Sequence, residues 1–128
     1  MENLTISGTP KTPSIEFDYQ SGNLQLKGRS IPENSLEFFQ PILNWVEDYT
    51  QRPQLATSID VRLEYFNTSS SKHLLDLFKK LERLSSNGRQ VTINWHYDQE
   101  DEDMFEVGQD YQIIVKVPFK LIPSVSTV

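Results

Sequence analysis

Five consecutive residues bearing an amide or a hydroxyl, Asn67-Thr68-Ser69-Ser70-Ser71, run directly into Lys72. A hydroxyl in such a run has three uses. It can cap a helix by accepting a backbone N–H, which contributes about 1 kcal/mol. It can carry a phosphate, which adds about −1.5 to −2 charge and three strong acceptor oxygens. It can also attack as a nucleophile once a base removes its proton, and Ser69-x-x-Lys72 has the spacing of the Ser–Lys pair in some acyl transferases. The companion motifs of the β-lactamases are missing, as are the glycines of a P-loop.

Two other groups of residues could bear chemistry. Six of the 18 acidic residues fall between Asp98 and Glu106. Carboxylates suit a hard divalent cation, but the Asp-x-Asp-x-Asp-Gly spacing of an EF-hand loop is absent. Acids at a helix start are favoured by the helix dipole. The stretch therefore reads as a solvated helix start, with part of a partner surface as the alternative. His73 and His96 stand too far from other ligand types to suggest a metal, and no cofactor is expected.

Periodicity shows what must position these groups. Ile59, Val61 and Leu63 alternate with Asp60 and Arg62, which predicts a half-buried strand over about Ala56 to Tyr65. Leu74, Leu77, Phe78, Leu81 and Leu84 recur at helical spacing, predicting a helix from about Ser69 to Ser86 that stops at Asn87-Gly88. The hydroxyl run thus lies where a strand gives way to a helix. Unpaired N–H groups at such a start welcome an anion.

Upstream, Ile15, Phe17 and Tyr19, then Leu24 and Leu26, alternate around Ser21-Gly22-Asn23 as a hairpin. Asn34 or Ser35 can cap a first helix with the stripe Phe38, Ile42, Trp45, Val46 and Tyr49. Pro41 predicts a kink or restart near Phe39-Gln40. Downstream, Val91, Ile93 and Trp95 mark a fourth strand, with His96 as a packing or surface residue. The acidic stretch with Met104-Phe105 predicts a short helix closed at Gly108, and Tyr111 to Val117 a last strand. Residues 1–11 read as an irregular arm, and the chain from Pro123 onward as a frayed tail.

The resulting order, β-β-α-β-α-β-(α)-β, predicts an α/β fold. It is a small single-domain sandwich over 1–128, with its core at about 12–119 and helices packed on a mixed sheet. The later β-α-β crossover should be parallel and right-handed.

Composition narrows the function classes. With 128 residues, 37% of them hydrophobic, the chain can build a core without staples. The absence of cysteine removes disulfides, thiolate zinc sites and cysteine nucleophiles. A formal charge of −6 argues against nucleic acid, and Lys79-Lys80 with Arg83 is the only local basic cluster. Apolar runs fall far short of the roughly 20 residues that span a bilayer, and Met1-Glu2-Asn3-Leu4-Thr5 lacks a signal-peptide pattern. No membrane partner and a cytoplasmic location are expected.

Five blocks carry a resemblance. They are Thr12-Pro13-Ser14-Ile15-Glu16-Phe17-Asp18; Gly28-Arg29-Ser30-Ile31-Pro32-Glu33-Asn34; Pro41-Ile42-Leu43-Asn44-Trp45; Leu63 to Lys72; and Trp95-His96-Tyr97-Asp98 with Asp101-Glu102-Asp103-Met104. In this order and spacing the chain resembles the SiaC family of bacterial regulatory phosphoproteins, whose fold is similar to STAS-domain anti-sigma factor antagonists.

The resemblance implies a partner-switching regulator. A SiaB-like protein kinase would phosphorylate a hydroxyl at the strand–helix junction, and a SiaA-like PP2C-type phosphatase would remove the phosphate. The unmodified form would bind and activate a SiaD-like diguanylate cyclase, linking it to c-di-GMP and biofilm control. By position the acceptor is Thr68. STAS antagonists usually carry Asp-Ser where this chain has Asn67-Thr68. A docking rim of Arg29, Glu33, Tyr65, Asn67, Ser69, Ser70 and Lys72 would surround it, provided that both helices start at one sheet edge. The other readings are a small hydrolase or acyl transferase using Ser69 and Lys72, and a structural adaptor whose junction is only a cap.

Overall fold

Alternating apolar residues build the sheet. Ile15 and Phe17, Leu24 and Leu26, Ile59, Val61 and Leu63, and Ile93 and Trp95 all turn inward and are buried. Glu16, Gln25, Lys27, Asp60, Arg62, Asn94 and His96 turn outward as a polar face. A computed structural model of the chain describes residues 1–125. Its strands are β1 (Leu4–Ile6), β2 (Ser14–Asp18), β3 (Asn23–Ser30), β4 (Ala56–Phe66), β5 (Gln90–Asp98) and β6 (Phe119–Ser124). The helices are α1 (Ser35–Gln51), α2 (Thr68–Ser86) and α3 (Glu102–Ile114).

The six strands form one mixed sheet in sequential order. β1, β2 and β3 pair antiparallel, whereas β3 to β6 pair parallel. A chain that steps in one direction through parallel strands, with crossovers of one hand, lays its helices on a single face. Here α1 and α2 pack side by side and α3 packs on β5 and β6, all above the apolar face. The opposite face stays open and polar. On it His96 Nε2 meets Asp60 Oδ1 at 2.7 Å.

The helices follow their stripes. Asn34 caps α1 by accepting from the Glu37 N–H at 3.1 Å. Phe39, Ile42, Trp45, Val46 and Tyr49 form its buried face, with Phe38 only partly covered. The expected restart at Pro41 does not occur, because α1 runs through it as one element. Pro41 leaves the Glu37 carbonyl without its donor, but both residues lie on the exposed side, where water can serve. On α2, Leu74, Leu77, Phe78, Leu81 and Leu84 are buried as the spacing requires.

The ends depart most from expectation. Residues 1–11 contain a strand: Leu4–Ile6 pairs with β2, and the Glu2 carbonyl accepts from Trp45 Nε1 at 2.8 Å. Three alternating residues are too short a signal to read. Tyr111 to Ile114, expected in a strand, belongs to α3, while the last strand is Phe119–Ser124. Met104, Gly108, Tyr111 and Val115 recur at helical spacing and are buried, so tertiary packing overrides the β-branched run. Pro123, expected in a frayed tail, pairs with Tyr97 on an edge strand, where Pro is tolerated. The rest of the expected tail, from residue 126, lies outside the described residues.

Gly108 does not close α3 but lets it approach the sheet. A Cβ there would lie 2.6 Å from Trp95 Cδ1 and 2.7 Å from Leu121 Cδ2. Trp95 is the hub at this point, donating from Nε1 to the Met104 carbonyl at 3.0 Å and packing on Phe78, Tyr111 and Phe119. No helix among the described residues is long and apolar enough to cross a membrane.

Across the outer surface, Glu47 of α1 accepts from Lys80 at 2.9 Å and from Arg83, both on α2. These hydrogen bonds hold the Glu47 carboxyl below its ordinary range. Glu82 is held low by the Lys116 N–H and by Lys79. Two measurements follow. Gly108→Ala should lower stability by about 1–3 kcal/mol in urea denaturation, against the gain of about 1 kcal/mol that helix propensity alone gives. Lowered carboxyl pKa values contribute stability above the unfolded value of 4.5, lost as pH falls through the folded values. Glu47→Gln should therefore flatten the acid limb of the stability–pH curve below pH 4.5.

Candidate functional site

Parallel pairing of β3, β4 and β5 brings the starts of α1, α2 and α3 to one end of the sheet. The joint between β3 and α2 sets the site. The Asn67 N–H donates to the Ser30 carbonyl at 3.0 Å. Ser70 Oγ donates to that same carbonyl at 3.1 Å and lies 2.8 Å from Ser30 Oγ. The Ser70 proton is thereby used, so the Ser30 hydroxyl donates to Ser70 Oγ. Both serines are fully buried. Ser70 therefore leaves the docking rim, since a hydroxyl closed in by its own fold is not open to a partner.

The cap of α2 is Asn67, not Thr68. The Asn67 side-chain oxygen accepts from the Ser70 N–H at 3.0 Å and from the Ser69 hydroxyl at 3.1 Å. Thr68 is the first helical residue, is exposed, and makes no side-chain hydrogen bond to the described residues. Its hydroxyl is accessible and uncommitted. Ser69, by contrast, donates to Asn67 and makes no hydrogen bond to Lys72, so the nucleophile–base pair is not assembled. Lys72 is exposed one turn further along α2.

A bulge turns Tyr65 outward. Gly28 pairs with Leu63 but Arg29 pairs with Tyr65, so Glu64 has no opposite number. Gly28 adopts φ +124°, a conformation open to glycine and rarely to other residues. The slip reverses the alternation. Phe66 turns inward, edge-on to Trp95, while Tyr65 is 52% exposed under the Arg29 guanidinium, 5.9 Å from its ring centre. Glu33 lies at the α1 start and meets Lys11 at 3.5 Å, and no contact with Thr68 accompanies it.

The far wall of the site joins the acidic stretch, for which a partner surface was the alternative expectation, to Tyr111 and Ile114, which were expected in a strand. Between α2 and α3 lies a groove of about 500 Å³. Thr68 and Ser71 line one side and Met104, Val107 and Ile114 the other, with Glu64, Asp101, Asp103 and Asp110 around them. Tyr111 closes its base, its hydroxyl donating to the Ser71 carbonyl at 2.8 Å. Burial pushes the Tyr111 phenol well above its ordinary range, so it stays a neutral donor. Asp101 caps α3 through the Met104 N–H at 3.1 Å. Among the described residues no group of three or more metal-binding side chains is placed to hold an ion. Reading Tyr111–Ile114 as helix, from the spacing of Met104, Gly108 and Tyr111, was the signal that would have revealed this wall.

The model of the SiaC family regulatory phosphoprotein matches residues 6–124. An uncharacterized protein of Pseudomonas aeruginosa strain UCBPP-PA14 is 39% identical over 121 residues, covering 94% of this chain and 96% of the relative. Among solved structures, apo-SiaC from Pseudomonas aeruginosa superimposes with a TM-score of 0.88 at 38% identity, covering 95% of this chain and 99% of that one. The structure of the diguanylate cyclase SiaD in complex with its activator SiaC, from the same organism, matches with a TM-score of 0.90 at 38% identity, covering 94% and 99%.

The division of labour at the α2 start is testable by stability. Asn67→Ala should cost about 1 kcal/mol in chemical denaturation, while Thr68→Ala should stay within about 0.5 kcal/mol of the parent. A larger loss for Thr68→Ala would mean that its hydroxyl is structural.

Proposed function

The chain belongs to the SiaC family of regulatory phosphoproteins, and on that premise we propose that it is a non-enzymatic switch of a bacterial partner-switching system. Its Thr68 is phosphorylated by a kinase and cleared by a PP2C-type phosphatase, in the cytoplasm. The unmodified form binds and activates a diguanylate cyclase. The observation that carries this reading is the free Thr68 hydroxyl: Asn67 supplies the cap, so a phosphate can be added without dismantling the helix start. The SiaD–SiaC pair of Pseudomonas aeruginosa supports a cyclase as the effector class.

Electrostatics gives the switch its direction. The N–H groups of Thr68 and Ser69 lie in the first turn, where the helix dipole favours an anion by about 0.3–2 kcal/mol. Lys72, four residues on, shares that face of α2 and would be drawn to the phosphate. Both effects hold the modified form together. A partner seated over Arg29, Tyr65, Asn67, Ser69 and Lys72, with Glu33 at the neighbouring helix start, faces the opposite consequence. It must dehydrate a dianion and give up Lys72. An unpaired buried charge costs at least a few kcal/mol, and each 1.4 kcal/mol is tenfold in affinity.

The kinase reaction should add one phosphate by intact mass, and Thr68→Ala should remove it. The phosphorylated chain should keep its circular dichroism spectrum and bind the cyclase about 100-fold more weakly. A phosphate mapped to Ser69 or Ser71, or undiminished cyclase binding, would overturn the assignment.

A further inference from the structure

The groove between α2 and α3 has a character that the switch does not require. Its apolar surface is open: Tyr65 and Ile114 keep 52% and 46% of their area in solvent. An apolar patch rimmed by polar groups marks a protein-binding surface. All the charged side chains that line it are carboxylates, Glu64, Asp101, Asp103 and Asp110. Among the described residues no cation lines it: Arg29 stacks on Tyr65 and Lys72 stands exposed beyond Thr68, both at its edge. Lys79 holds Glu82 and the Ile114 carbonyl, and Lys80 and Arg83 hold Glu47.

Removing water from four carboxylates without supplying positive charge is costly, so the groove selects its occupant by sign. We propose that it is the docking site for an amphipathic basic segment of a partner protein. Aliphatic side chains of that segment seat on Tyr65, Val107 and Ile114, and its lysines or arginines meet the carboxylates.

Thr68 borders the same groove. A phosphate there deepens the negative field, so this occupant binds the modified chain at least as well as the unmodified one. That is the reverse of the effect on a partner that sits on the neutral hydroxyl. Docking itself does not depend on the switch, and the test uses the unmodified chain.

The probes are a short amphipathic helical peptide of leucine and lysine and its leucine–glutamate counterpart, titrated into the ¹⁵N-labelled full chain. The lysine peptide should shift amide signals of Tyr65, Val107 and Ile114, and the glutamate peptide should not. Glu64→Gln/Asp103→Asn/Asp110→Asn, which leaves the Asp101 cap in place, should weaken the lysine peptide about tenfold. Ile114→Asp, at a half-exposed position, should weaken it similarly by removing the apolar contact. The remote triple variant Glu16→Gln/Asp48→Asn/Asp76→Asn should bind as the parent does. Equal binding of both peptides, shifts on another face, or an equal loss in the remote variant would overturn the proposal.

Discussion

Two serine hydroxyls buried between β3 and α2 fix where the second helix begins. Ser30 and Ser70 satisfy each other, and the Ser30 carbonyl takes both the Ser70 hydroxyl and the Asn67 N–H. Unpaired polar groups at that depth would each cost about 1–3 kcal/mol, so the joint is costly to disturb. Its geometry commits the residues around it. Ser70 must point in, Asn67 must cap, and Thr68, two positions from the buried serine, must point out. The exposed hydroxyl is a consequence of the buried ones.

Parallel pairing then gathers three helix starts at one end of the sheet. The neighbours of Thr68 differ on its two sides. Toward β3 lies the Arg29–Tyr65 pair, turned outward by the bulge at Glu64. Toward α3 lies an apolar trough with a rim of carboxylates. A phosphate on Thr68, as proposed, would act with different sign on whatever occupies each. A rigid scaffold can therefore alter two affinities in opposite directions without refolding.

The helices α1 and α2 and the strands β2 to β5 were legible because each repeats its pattern long enough to be read. Leu74, Leu77, Phe78, Leu81 and Leu84 span several turns and lie buried as a stripe. The ends of the chain were not. In α3 the β-branched residues Ile113 and Ile114 face solvent, while the inward face includes a glycine pressed against Trp95. Neither looks like a helix in isolation. β1 is held by the Trp45 indole and by pairing with β2, contacts far away in sequence.

Local chemistry decided part of the site: an Asn followed by hydroxyls after a half-buried strand marks a helix start, and Thr68 stands at it whatever the rest of the chain does. Which hydroxyl is free could not be settled locally. Thr68, Ser69, Ser70 and Ser71 are near-equivalent in propensity, and only Ser30, 40 residues away from Ser70, draws one of them inside. The groove is likewise tertiary, because its walls belong to helices that meet only once β4 and β5 lie side by side. Sequence sets which groups a segment offers; burial against distant partners decides which of those groups remain to meet another molecule.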